Sequence, residues 1–177
     1  MLHTFKCLVG GISLTCITTM GAQATGLDFS TVQGSNTATV AVPGSGGGTG
    51  ATINHAASGT ILVGPGSAGQ VDGFCFLGFG CQADGELVFD AAISNLTFDI
   101  DGASSGDSVE ISAYNGASLL GSLTFTANGL ADFSGYGNIT RLFFDDSSTA
   151  AGVGYSTFTW APRKMSRSSW MPIESLI

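Results

Sequence analysis

The side chains that could do chemistry in this chain are mostly carboxylates. The closest-set group is Asp99-Ile-Asp101, followed past a glycine turn by Asp107. Side chains alternate along a strand, so Asp99 and Asp101 share one face. Calcium takes roughly six to eight oxygens from carboxylates and loop carbonyls, and Asp99, Asp101 and Asp107 are the ligands this pattern offers it. No D-x-D-x-D-G loop accompanies them. Glu110, Asp145 and Asp146 complete the set from which a glycosidase would draw its acid and base. Solvated strand ends leave the same pattern in any acidic β protein. A serine hydrolase needs a histidine base beside its nucleophile. Past residue 24 the only histidine is His55, and no G-x-S-x-G elbow is present.

A ligand-binding face is the other possibility. Sugar sites pair a flat apolar ring with polar groups that meet hydroxyls. Tyr114, Tyr136, Tyr155 and Trp160 are the aromatic candidates. Tyr114 alternates with Glu110 and Ser112, opposite Val109, Ile111 and Ala113, so Glu110, Ser112 and Tyr114 form the expected ligand-binding trio. The competing role for Tyr114 is to flank the Asn115-Gly116 turn and pack across its hairpin.

The elements that must position these residues are strands. Between Glu86 and Thr126 short runs alternate apolar and polar residues and end in turn chemistry. Leu96, Phe98 and Ile100 share a face, as do Val109, Ile111 and Ala113, and Leu119, Leu123 and Phe125. Leu27–Val32, Thr37–Val42, Ala51–His55 and Thr60–Val63 read as earlier strands. Gly129–Ser134, Asn138–Asp145 and Val153–Trp160 read as later ones. Pro43–Gly50 is a glycine-rich break. Gly73–Cys81 (GFCFLGFGC) reads as a cysteine-closed loop whose phenylalanines either plug one end of the fold or form an exposed sticky patch. Short strands at this spacing, with no helical period past residue 24, predict an all-β fold: a single antiparallel β-sandwich, jelly-roll-like.

Targeting and composition bound the function. Lys6, an apolar run over Leu8–Met20 and Ala22-Gln23-Ala24 make residues 1–24 a cleavable secretory signal. That leaves a β-sandwich domain over 25–160 and an irregular tail over 161–177 carrying Arg163, Lys164 and Arg167. The mature chain contains no predicted transmembrane segment. After residue 24 there are four bases against thirteen acids, a net of −9, and Arg141 is the only base between Thr25 and Trp160. Phosphate-rich partners need Lys and Arg, so nucleic acid is excluded. Of four cysteines only Cys75 and Cys81 follow the signal. An exported chain pairs such cysteines, and C-x5-C alone lacks the ligands of a zinc site.

The segments LTFDIDGASSGDSVEISAYNGASLLGSLTF, ITRLFFDDSS and GVGYSTFTW resemble a group of exported bacterial domains. Those domains are galactose-binding-like or carbohydrate-binding-module-like jelly rolls, many of them in PEP-CTERM-type surface proteins. The resemblance covers about Leu27 to Trp160 and implies a carbohydrate or cell-surface role. Two departures stand out. Ser156-Thr157 occupy the place where the family often carries Asp-Asn beside calcium, and Ala161–Ile177 shows no Pro-Glu-Pro sorting tail. The expectation is a secreted or cell-surface, non-catalytic β-sandwich with an extracellular glycan as partner and no cofactor beyond a calcium ion. A purely structural surface protein and a secreted hydrolase are the alternatives.

Overall fold

The computed structural model describes residues 25–34, 36–64, 72–149 and 151–161. The expected signal segment, and the tail beyond Ala161, lie outside the described residues. The strands are β1 (Thr25–Gly26), β2 (Asn36–Thr37), β3 (Thr39–Val42), β4 (Ala51–His55), β5 (Thr60–Val63), β6 (Gly73–Leu77) and β7 (Gly85–Asp101). They continue with β8 (Val109–Asn115), β9 (Ser118–Phe125), β10 (Gly129–Phe133), β11 (Ile139–Asp146) and β12 (Gly154–Ala161). Every pair of these strands is antiparallel. The fold is all-β, as the alternation predicts.

The strands join into one continuous sheet in the order β2-β5-β6-β12-β7-β11-β8-β9, with β10 and β4 also on β7, β3 beyond β4, and β1 on β12. The join is β7. Its first half pairs with β4 and β11, its second half with β10 and β12. The register shift opposite Ile139–Arg141 and the left-handed φ of Asn95, 55°, lie where it passes from one set to the other. Asparagine is among the few residues that adopt this conformation at low cost.

The sheet is not flat. Strands lie roughly 4.8 Å apart, so β6 and β11, three steps apart, would be separated by about 14 Å in a plane. Their Phe74 and Phe144 rings lie 6.0 Å apart. Buried side chains from both halves meet in one core of Phe74, Phe76, Phe98, Phe133, Phe144, Tyr155, Phe158 and Trp160. Phe98 stacks on Phe158 at 4.6 Å and on Phe133 at 6.0 Å. Gly85 is required here, because a Cβ at this position would land on the Phe76 ring.

Four expectations need correction. Leu27–Val32 is not a strand. Asp28 accepts a hydrogen bond from the Ser30 N–H and starts a 3₁₀ turn over Phe29–Thr31, a local bond that outcompetes extension. Gly73–Leu77 is a strand rather than a loop, with Phe74 and Phe76 fully buried. Phe79 alone is fully exposed, at the tip beyond it. Leu119 does not share the inner face of Leu123 and Phe125. Ala113 pairs with Gly121 but Tyr114 pairs with Leu119, so Leu120 is an extra residue and Leu119 turns outward, 58% exposed. Such a bulge flips every residue beyond it. Ala161 belongs to β12, not to the tail.

Candidate functional site

The expected trio does share a face. Val109, Ile111 and Ala113 are fully buried, which sends Glu110, Ser112 and Tyr114 outward. Cross-strand register shows what surrounds them. Tyr114 lies between Leu119 of β9 and Arg141 of β11. Ser112 lies between Ser122 and Phe143, and Glu110 between Thr124 and Asp145. The rows continue across β7 and β4: Phe143 opposes Glu86, and Glu86 opposes Asn54. One outward face thus runs over β4, β7, β11 and β8.

Its centre is a chain of polar contacts. The Asn54 Nδ2–H donates to Glu86 Oε1 at 3.2 Å, and the Arg141 Nη1–H donates to Glu86 Oε2 at 3.3 Å. The guanidinium carbon of Arg141 lies 4.1 Å from the centre of the Tyr114 ring. Tyr114 is therefore half-buried beneath a cation rather than freely displayed, held by quadrupole attraction. The turn beside it is a two-residue Gly116-Ala117 loop with Gly116 at φ 57°, the position glycine fills in a II′ hairpin. The Thr140 hydroxyl donates to the Tyr114 carbonyl at 3.2 Å and accepts from the Gly116 N–H at 2.8 Å, fixing that corner.

Asn54, Glu86, Arg141 and Phe143 were absent from the sequence-derived site. The signal for them was present, since each alternates with buried partners on its strand. Their mutual register is a long-range property that no single strand encodes. Among the other aromatic candidates, Tyr155 and Trp160 are core, and Tyr136 packs on Phe133 over the Cβ-less Gly121.

Of the three calcium candidates, Asp99 and Asp101 lie on the same face of β7, while Asp107 is hydrogen-bonded within its own surroundings. Its Oδ2 accepts from the Ser104 N–H at 2.7 Å and hydroxyl at 2.8 Å, and its Oδ1 accepts from the Gly152 N–H at 3.0 Å. Burial pushes the Asp107 carboxyl up, but the bonds from Ser104, Gly152 and Ser148 outweigh it and hold it below the ordinary value. The Ser156 hydroxyl donates to Asp101 at 3.2 Å. Among the described residues no three His, Cys, Asp or Glu side chains converge on a metal position.

A second cluster lies at the end of the core. Leu142, Phe144 and Asp146 point inward along β11, so Asp146 ends the apolar row, above the 4.4 Å contact of the Phe144 and Tyr155 rings. Its Oδ1 accepts from the Ser148 N–H and its own N–H donates to Asp84, while its Oδ2 and the Tyr155 hydroxyl have no hydrogen-bond partner among the described residues. Burial raises the Asp146 carboxyl, the Ser148 bonds oppose this, and the charges of Asp107 and Asp84 add to the rise. Burial, then Asp146 and Asp84, push the Tyr155 hydroxyl well above its ordinary value.

Cys75 and Cys81 are disulfide-bonded, with Cα atoms 5.4 Å apart. The bond ties β6 to the start of the segment leading into β7. His55 spends both ring nitrogens on backbone, donating through Nε2 to the Leu77 carbonyl and accepting at Nδ1 from the Ala57 N–H. No helix among the described residues is long and apolar enough to cross a membrane. No protein-family model, curated protein or solved structure matches the chain.

Proposed function

We propose that this is an exported, non-catalytic carbohydrate-binding protein of the cell surface or matrix, and that its ligand lies on the outward face centred on Asn54, Glu86, Arg141 and Tyr114. The carrying observation is Arg141. It is the only Lys or Arg between residues 25 and 161, and it is set between a carboxylate and an aromatic ring on an open sheet face. Phe143, Ser112 and Ser122 extend the face with a second ring and two hydroxyls. Aromatic rings and convergent polar groups are what a sugar needs, one for its apolar C–H face and the other for its hydroxyls. The disulfide fits an oxidising compartment. The engaged nitrogens of His55 fit a binding role better than an acyl-transfer one.

A glycan array probed with the wild-type protein tests this. Saturable binding that falls at least about tenfold in Arg141→Ala and Tyr114→Ala, each still folded by circular dichroism, supports the proposal. Wild-type protein that binds nothing saturably would favour a purely structural surface role. Turnover of a polysaccharide would point to the hydrolase instead.

A further inference from the structure

The proposed face has spare hydrogen-bonding capacity of both kinds. A carboxylate offers roughly four lone-pair sites and a guanidinium five N–H donors. Asn54 and Arg141 occupy one site each on Glu86, and Arg141 spends one donor in doing so. About a third of each charged side chain of the pair stays in water, 30% for Arg141 and 32% for Glu86. A partner must therefore present donors and acceptors side by side, next to a carboxylate and a guanidinium already 3.3 Å apart. Adjacent hydroxyls do this, because each both donates and accepts.

The charge of the face narrows the partner further. Glu86 cancels Arg141. Glu110 and Asp145 lie directly opposite each other on the same face, both exposed, with no ion pair to either among the described residues. Two like charges set this way repel a third, and the twelve acids against one base over residues 25–161 add to the repulsion. An anionic sugar would find the one cation of the face already neutralised. A ring bearing adjacent hydroxyls and no charge meets the free donors and acceptors without this cost.

We infer that the ligand is a neutral glycan carrying vicinal hydroxyls, bound across β7, β11 and β8, and that uronate, sialylated and sulfated glycans are rejected by the Glu110–Asp145 pair. This inference rests on the carbohydrate reading above.

The test compares chemically matched probes on the full-length protein: a polyuronate, its fully methyl-esterified form, and neutral hexose polymers. Titration calorimetry at about 20 mM and about 500 mM salt reads the affinities, since salt screens exposed charges. The expected result is binding to neutral or esterified probes, with the free polyuronate at least about tenfold weaker at low salt and less so at high salt. Doubly neutralised Glu110→Gln, Asp145→Asn protein should regain polyuronate binding at low salt. Polyuronate binding as tight as that of its ester overturns the inference and leaves the carbohydrate reading standing. Binding to no probe of either kind overturns both. A wild-type preference for neutral probes that the double variant does not relax overturns the role given to Glu110 and Asp145.

Discussion

Glu86 and Arg141 sit diagonally across the β7–β11 pair with their charged ends 3.3 Å apart, and the same guanidinium covers the Tyr114 ring. The ion pair is partly exposed, so it contributes little to stability, about 0.2–1 kcal/mol. Glu86→Gln should cost less than about 1 kcal/mol in a urea melt. Arg141→Ala also uncovers the ring and should cost about 0.5–1 kcal/mol more. A double-mutant cycle between Arg141→Ala and Tyr114→Ala reads that coupling directly. A coupling near zero would mean the stacking is not maintained in solution.

Asp146 gives the pH profile an unusual limb. Its folded-state pKa is raised above the ordinary 3.8, so the native state holds a proton that the unfolded chain releases. Stability should therefore rise as pH falls from 7 through the folded-state value toward about 4. Asp107 acts in the opposite sense. Its pKa is lowered, so its contribution is complete above 3.8 and is lost as pH falls below that value. Calorimetric midpoints between pH 3 and 7 should pass through a maximum. Asp146→Asn should flatten the limb above the maximum and leave the acid side in place. An unchanged upper limb in this variant would mean that another group titrates there.

The Tyr155 hydroxyl is buried and has no partner among the described residues. Removing an unsatisfied polar atom relieves a penalty of about 1–3 kcal/mol, while the ring and its contacts stay. Tyr155→Phe should leave the thermal midpoint unchanged or raise it. A clear drop would reveal a partner for the hydroxyl, such as a buried water.

The bulge at Leu120 makes a contrast between two leucines. Leu119 faces water, so Leu119→Lys should change stability by no more than about 0.5 kcal/mol. Leu96 has no exposure, and Leu96→Ala should cost about 2–5 kcal/mol. A penalty for Leu119→Lys comparable with that of Leu96→Ala would put Leu119 back on the inner face, as unbroken alternation had it.

The contrast also shows what was legible beforehand. Leu96, Phe98, Ile100, Val109, Ile111 and Ala113 were assigned to the core from alternation alone, and all are buried. Ala51–His55 and Thr60–Val63 were bounded correctly as strands. Alternation fails where the backbone inserts one residue, because nothing in LLGSL marks the extra leucine. It also fails at Asp28, where a side chain offers the backbone a cheaper local bond. The site was half legible for a related reason. Glu110, Ser112 and Tyr114 share one strand and could be grouped by counting. Asn54 and Glu86 are brought to Arg141 by pairings between residues 32 and 55 positions apart. Gly73–Leu77 was hidden by Gly73 and the glycines that follow it, although burial of both faces explains its unbroken apolar run.

β7 has one further consequence. Four strands hydrogen-bond to it, two on each half, and it crosses between the halves without a loop. Neither half can be peeled away while the other stays intact, because each would strip the shared strand of its partners. Subglobal opening normally proceeds in contiguous pieces that separate at linkers, and along β7 there is no linker to separate at. Amides at Leu87 and Phe98, on opposite sides of the Asn95 kink, should therefore exchange with deuterium only when the whole domain unfolds, and at one common free energy.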